Sequence, residues 1–298
     1  FAKNLDEAIS ETKESIRILK TLKGDPRVDS ELFLATVNNL SDYYQIQGRV
    51  HEAKQACESF KDTISKFDQK IYGTLYYSFL ALCEMYDGEY DKALKSINFA
   101  YQYLEEGKLS EYLFIFVLVN KAEILARMGE FEQAEKLVQK LKQDLEDLFQ
   151  KNSNHLVIRV EIIDAFISYS KGDLAFSEKK IKKAIENYNN LVDSVAKDPL
   201  QGFAHTVLGD LYYASKNFKM ALEEYKTAEH IYETVLKAKE IDDLSDLYQK
   251  ITIAAADSHH IELTREYLKK QVSSFGLNHK KTQSIVKYLD EKEIPIPW

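Results

Sequence analysis

The sequence predicts an all-α protein, an α-solenoid of about six to seven antiparallel helix pairs. Only 10 Gly and 4 Pro occur in 298 residues, whereas average usage would give about 35. This scarcity favours long helices over turn-rich sheets. Small residues also recur at intervals of 40 to 45 residues, at positions 8, 53, 93, 134, 177, 221 and 264. Such a period is typical of stacked helical repeats.

A short motif predicts the tight turn inside each helix pair. It consists of a turn residue, an aromatic or aliphatic residue two positions later, and the recurring small residue three positions after that. Glycine suits the turn because it adopts positive φ at no steric cost. In the six copies the turn residues are Gly48, Gly88, Gly129, Gly172, Lys216 and His259.

A second pattern predicts how the two helices of a pair pack. A small residue precedes the recurring one by twelve positions, as in Ser41, Ala81, Ala122, Ala165 and Gly209. Apolar residues follow the recurring one by four and seven positions, as in Val138 and Leu141 or Tyr225 and Ala228. Small residues allow two helix backbones to approach closely, and the larger residues fill the groove beside them.

The chain is predicted to form one domain with distinct ends. Residues 1–24 form an N-terminal helix or cap, residues 29–275 form the repeats, and residues 279–298 form a C-terminal capping helix and tail. Because the chain begins within the second helix of a pair, we expect it to be part of a larger protein. The tail Ile294–Trp298 either docks onto the last helix or engages another copy as a recognition segment.

The fifth copy carries a family resemblance. Leu208, Gly209, Tyr212, Ala221 and Ala228 stand at the offsets of the L-G-x-x-Y…A…A pattern, so this copy resembles a tetratricopeptide repeat (TPR). The resemblance covers about residues 2–290 but is weaker in the other copies, and the period is near 42 instead of about 34 residues. In this it is similar to kinesin light chain-type and bacterial regulator repeats. The resemblance implies a right-handed superhelix whose first helices line a concave, peptide-binding groove.

The resemblance also implies which residues bind the partner. Amides would grip the peptide backbone, aromatic residues would anchor side chains, and Arg127 and Arg159 are the best candidates to bind a carboxylate of the ligand. The expected partner-binding residues are Asn38, Asp42, Gln45, Met85, Asn120, Glu123, Arg127, Arg159, Phe166, Tyr169, Asp210 and Tyr213. Other positions at the lining offsets are Ser78, Leu82, Phe116, Ile162, Phe203, Thr206, Gln249 and Ile253.

Composition and the absence of known motifs disfavour several classes of function. The net charge of −8 disfavours direct binding of nucleic acid, and no apolar run reaches the 18 residues that suggest a membrane span. Cys57 and Cys83 are expected to be small buried residues of a protein in the cytoplasm. No nucleotide-binding, zinc-protease or serine-hydrolase motif occurs, so we expect no enzyme, cofactor or metal. Carboxylate pairs such as Asp242-Asp243 are predicted to be solvated.

Three functions therefore compete. The first is a non-enzymatic scaffold that binds a protein or peptide in the concave groove. The alternative is a ligand- or peptide-sensing domain of a larger signalling or transcription regulator. An enzyme is the third and is disfavoured because no catalytic motif is present. A homodimer through the terminal helices is compatible with the first two.

Overall fold

The computed structural model describes residues 2–21, 36–37, 39–41, 43–44, 49–59, 69–107, 111–145, 155–191, 199–235 and 241–296, and these form only helices and turns. The helices are α1 Ala2–Thr21, α2 Val50–Glu58, α3 Gln69–Tyr86, α4 Tyr90–Gly107, α5 Glu111–Arg127, α6 Phe131–Asp144, α7 His155–Ser170, α8 Leu174–Leu191, α9 Pro199–Ala214, α10 Phe218–Glu229, α11 Asp242–Asp257, α12 Ile261–Phe275 and α13 Lys280–Glu291.

Helix pairs stack in chain order and form a solenoid. The helical residues between 36 and 44 pair with α2, and the pairs that follow are α3/α4, α5/α6, α7/α8, α9/α10 and α11/α12. Each first helix from α3 to α9 contacts the first helix of the next pair, so these helices form a continuous inner layer. The fold is the predicted all-α helical-repeat solenoid, with α1 and α13 at its ends.

The turns confirm the predicted repeat. Gly88, Gly129 and Gly172 have φ of 75°, 85° and 85°, and Lys216 and His259 adopt the same left-handed conformation with φ of 59° and 61°. At each turn two backbone bonds close the first helix: the Gly88 N–H donates to the Met85 carbonyl, and the Glu89 N–H to the Glu84 carbonyl. This Schellman arrangement satisfies the last carbonyls of a helix and reverses the chain within two residues.

The packing within each pair follows the predicted small-residue register. Ala53, Ala93, Ala134 and Ala221 are fully buried. In the fourth pair the Ser177 hydroxyl donates to the Ala165 carbonyl over 2.6 Å, which shows how closely α7 and α8 approach. In the fifth pair a Cβ on Gly209 would overlap the ring of Tyr225, so glycine is required at that contact.

Helix α10 continues into a π-helical turn, His230–Val235. This turn buries Ile231 and Tyr232. The Tyr232 ring packs against Gly202 on α9, where a Cβ would stand only 2.5 Å from the ring. The glycine thus lets Tyr232 pass close to the α9 backbone, and the Tyr232 hydroxyl donates to Asp243 over 3.3 Å.

Helix α13 packs against the last pair. Ile285 and Leu289 of α13 pack with Ala256 and Leu268, and Ile294 and Ile296 of the tail are partly buried against the same cluster. Within the described residues the tail therefore docks onto the last helices. Pro297 and Trp298 lie outside the described residues.

Composition predicted that the two cysteines are buried and that no segment spans a membrane. Cys57 and Cys83 are both buried, as expected. Of the helices in the described ranges, none has the length and apolar character needed to cross a bilayer.

The Gly209 contact yields a test of the register. Gly209→Leu should lower the free energy of unfolding by about 1–3 kcal/mol, because the new side chain has no room beside Tyr225. Urea denaturation followed by circular dichroism measures this difference. Ala214→Leu, at an exposed position five residues further along α9, should leave stability nearly unchanged. Equal stability of both variants would contradict the close approach of α9 and α10.

Candidate ligand site on the inner face

A cavity lies where the first helices of four consecutive pairs, α5 to α11, converge. Its volume is about 320 Å³, at the lower end of the range of about 300–1,000 Å³ that is usual for ligand pockets. Both aromatic and charged side chains line it. The lining residues are Tyr90, Arg127, Phe166, Phe203, Thr206, Asp210, Tyr232, Asp242, Asp243, Asp246, Lys250 and Lys281.

Contacts between distant repeats close this cavity. The Tyr90 hydroxyl at the start of α4 donates to Asp242 over 3.0 Å, although 152 residues separate the two in sequence. Arg127 at the end of α5 binds Asp243, 116 residues away. The first turn of α11 therefore reaches across the inner face and joins the second and third pairs to the sixth.

Arg127 is the centre of a buried ionic cluster. One of its terminal nitrogens binds Asp243 and the other lies 3.3 Å from the second Asp243 oxygen. Its Nε donates to Glu123 over 3.2 Å, and Arg159 binds the other Glu123 oxygen over 2.5 Å. The guanidinium also stacks 4.1 Å from the centre of the Phe203 ring. The Arg127 and Glu123 side chains are only 5% and 1% exposed, so these contacts replace water almost completely.

The charges of this cluster stabilise one another. Burial by itself would raise the pKa of Glu123, but the adjacent Arg159 and Arg127 outweigh it and hold the Glu123 pKa below its usual range. Burial likewise opposes the charged form of Arg127, yet Asp243 and Glu123 raise the Arg127 pKa well above normal. Two cations thus face two anions, and the cluster is neutral as a whole.

A second ionic chain runs along α11 on the other wall of the cavity. Lys250 binds Asp210 over 2.5 Å, and Lys281 binds Asp242 over 2.8 Å. Burial raises the pKa of Asp210 in spite of its lysine partner. Asp246 lies between the two lysines, 3.4 Å from Lys250 and 3.6 Å from Lys281. The positive charge of these lysines outweighs burial and lowers the Asp246 pKa.

Three of the expected partner-binding residues line the cavity, namely Arg127, Phe166 and Asp210. Phe203 and Thr206, at the other lining offsets, join them. The guanidinium groups of Arg127 and Arg159, which we expected to bind a ligand's carboxylate, are held here by carboxylates of the chain itself.

The other expected residues are placed differently. Met85 and Asn120 are fully buried, and the side-chain amide and carbonyl of Asn120 have no hydrogen-bond partner. Tyr169 and Tyr213 are half-buried. The Tyr213 hydroxyl binds Asp257 and so ties α9 to the end of α11. Asn38, Asp42 and Gln45 lie outside the described residues.

The acidic residues that α11 contributes to the cavity, Asp242, Asp243 and Asp246, were not predicted as site residues. Asp242-Asp243 was predicted to be solvated, and for Asp243 this was wrong, because its side chain is only 8% exposed beneath Arg127. A usable signal was present in the spacing. Asp242, Asp246 and Lys250 stand four residues apart, which places them on one face of α11. The lining residues that were not predicted to belong to a site are Tyr90, Tyr232, Asp242, Asp243, Asp246, Lys250 and Lys281.

The described part of the chain contains no group of three or more His, Cys, Asp or Glu side chains that could hold a metal ion. The acidic residues of the cavity are each drawn to a lysine or arginine.

No protein-family model matches this sequence, and no curated protein matches it. Several solved structures share the fold. A Rap protein complexed with Competence and Sporulation Factor has a TM-score of 0.66 at 12% identity over 98% of this chain and 88% of that one. NprR in complex with its cognate peptide NprX has a TM-score of 0.66 at 15% identity over 97% and 82%.

A tetratricopeptide repeat protein from Parabacteroides merdae has a TM-score of 0.54 at 17% identity over 96% of this chain and 98% of that one. The predicted TPR resemblance is therefore confirmed at the level of the fold. The identities are too low to transfer any residue's role.

The buried ionic cluster predicts a pH dependence of stability. The pKa of Glu123 is lowered on folding from 4.5, so its ion pairs stabilise the protein above about pH 4.5 and are lost as the pH falls through the folded-state pKa. Glu123→Gln should therefore cost about 3 kcal/mol at pH 7, because Arg127 and Arg159 lose their shared anion. It should also lose less stability than the wild type on acidification.

Urea denaturation of both proteins at pH 7, 4.5 and 3.5 measures this difference. Glu132→Gln changes an exposed carboxylate on α6 and should follow the wild-type curve. Parallel loss of stability in the wild type and Glu123→Gln would show that folding does not lower the Glu123 pKa.

Proposed function

We propose that this chain, which has the fold of TPR proteins, is a non-enzymatic scaffold that binds a peptide segment on the inner face of its solenoid. The single observation that carries the proposal is the side chain of Asn120. Its exposed fraction is 0%, and neither its NH₂ group nor its carbonyl has a hydrogen-bond partner. An unsatisfied buried polar group costs about 1–3 kcal/mol, so such a residue needs an explanation.

A peptide backbone is the natural complement of an asparagine side chain. The carboxamide offers one acceptor and two donors, and each peptide unit offers a carbonyl and an N–H. Asn120 precedes Glu123 by three residues and Arg127 by seven on α5, so it shares their face of the helix. When the inner face opens to admit a peptide, Asn120 gains the hydrogen bonds that it lacks in the closed form.

Aromatic side chains beside the cavity supply anchoring surface. Phe166 on α7 is half-buried and meets Phe203 on α9 edge-to-face, with ring centres 5.2 Å apart. Tyr169 follows one turn later on α7 and is also half-buried. Rigid aromatic residues of this kind contribute much of the affinity at peptide-binding surfaces.

Two structures with the same fold support the proposal. The Rap protein was solved with Competence and Sporulation Factor, and NprR was solved with its cognate peptide NprX. Each is matched over nearly the whole of this chain. A solenoid of this architecture is therefore able to hold a bound peptide.

The closing contacts favour a second candidate, a sensing domain of a larger regulator. Tyr90–Asp242 and Arg127–Asp243 join repeats that are far apart in sequence. A ligand that binds the open and closed forms with different affinity shifts the population between them. The resulting change in solenoid shape would be transmitted to an attached domain.

Asn120→Leu tests the peptide-binding proposal. Leucine has the same number of side-chain heavy atoms in the same branched arrangement and removes the unpaired polar atoms, so the variant should be as stable as the wild type or up to about 2 kcal/mol more stable. It should nevertheless bind peptide at least tenfold more weakly. Peptides selected by the wild type from a random heptapeptide library provide the ligands, and fluorescence polarisation gives their Kd.

Thr74→Val is the matched control, because Thr74 is buried but its hydroxyl donates to the Lys70 carbonyl over 2.7 Å. This variant should bind as the wild type does and gain no stability. A library that yields no consensus, or Asn120→Leu binding with unchanged Kd, would refute the proposal. A ligand-induced change in the radius of gyration, measured by X-ray scattering, would favour the sensing function over a rigid scaffold.

A further inference from the structure

We infer that the inner cavity receives a positively charged group, an alkylammonium or guanidinium, and that Asp246 is its anionic partner. The inference deepens the proposed function, since the cavity belongs to the inner face described above. It names the chemistry that the ligand must present. A basic side chain of a peptide and a free polyamine both carry such a group.

The pairing of charges around the cavity leaves one carboxylate in excess. Four carboxylates and three cations line it. Each cation has a close partner: Arg127 binds Asp243, Lys250 binds Asp210, and Lys281 binds Asp242. Asp246 is the fourth carboxylate. The lysines nearest to it lie 3.4 and 3.6 Å away, and both are bound more closely to another aspartate.

Asp246 is also the accessible carboxylate of the set. Its side chain is 40% exposed, against 7% for Asp210, 8% for Asp243 and 20% for Asp242. Because Asp246 is part of the cavity lining, this exposed surface faces the space that a ligand would enter. A cation placed there meets a carboxylate that is already surrounded by protein, where charge pairing is stronger than in bulk water.

The apolar part of the lining suits the same ligand. Phe166, Phe203 and Tyr90 contribute aromatic rings. Ring faces attract ammonium and guanidinium groups, and Arg127 already makes such a contact with Phe203. The volume of about 320 Å³ admits one long side chain or a short aliphatic amine.

An anionic ligand fits the cavity poorly. It would meet the surplus negative charge of Asp246, and it would have to displace Asp243 from Arg127 or Glu123 from Arg159. The expectation that Arg127 and Arg159 bind a ligand's carboxylate is thus replaced by recognition of the opposite charge.

The test compares two ligands of nearly the same shape, one charged and one uncharged. Isothermal titration calorimetry in 0.15 M salt measures binding of N-acetyl-arginine amide and N-acetyl-citrulline amide to the full chain. The arginine derivative should bind at least tenfold more tightly. Asp246→Asn should remove this preference and Asp246→Glu should retain it. Asp290→Asn, an exposed carboxylate on α13, is the matched control and should behave as the wild type does.

Binding of the two derivatives to the wild type can be compared whether or not Asp246→Asn folds. Equal binding of the two derivatives, or no binding of the arginine derivative, overturns the inference. Spermidine and an arginine-containing heptapeptide distinguish the two sources of the charge. If spermidine binds through Asp246 and no peptide binds, the cation site stands and the peptide-binding function fails. If peptides bind without preference for basic residues and Asp246→Asn binds them as the wild type does, the peptide-binding function stands and the cation site fails.

Discussion

The buried guanidinium of Arg127 lies between Glu123 of its own helix and Asp243 of α11, and the closed inner face depends on this contact. Removing these charges from water is costly, and the cost is offset only when every partner is present in good geometry. Arg127 has two carboxylates and an aromatic ring, and Glu123 has two arginines. The cluster therefore specifies one arrangement of the third, fourth and sixth pairs and disfavours arrangements that separate them.

This arrangement determines the chemistry of the cavity. Bringing α11 across the inner face places Asp242 opposite the start of α4 and Asp243 opposite the end of α5. Arg127, Lys250 and Lys281 each take one aspartate, and Asp246 remains accessible. The contacts of Tyr90 and Arg127 with α11 thus gather these charges around one cavity.

The inner layer also contains an unsatisfied polar side chain, that of Asn120. The same inner layer that buries Arg127 buries a carboxamide with no partner, so the closed form carries an energetic cost at one point and a strong ionic contact at another. A peptide that supplies hydrogen bonds to Asn120 as the inner face opens would relieve the first at the expense of the second. Binding and closure are then linked, since any ligand that prefers one form shifts the balance between forms.

The sequence by itself determined the repeat: the turn residues from Gly88 to His259, the small-residue contacts such as Ser177 with Ala165, and the helices that follow. These features depend on neighbours within one pair, so they leave a local period in the sequence. Phe166, Phe203, Thr206 and Asp210 of the cavity were also predicted, because they lie on first helices. Only the tertiary structure decided that Asp243 meets Arg127 and that Tyr90 meets Asp242. Those contacts depend on the small rotation between each helix pair and the next, added over several pairs. A local sequence pattern does not predict this total rotation.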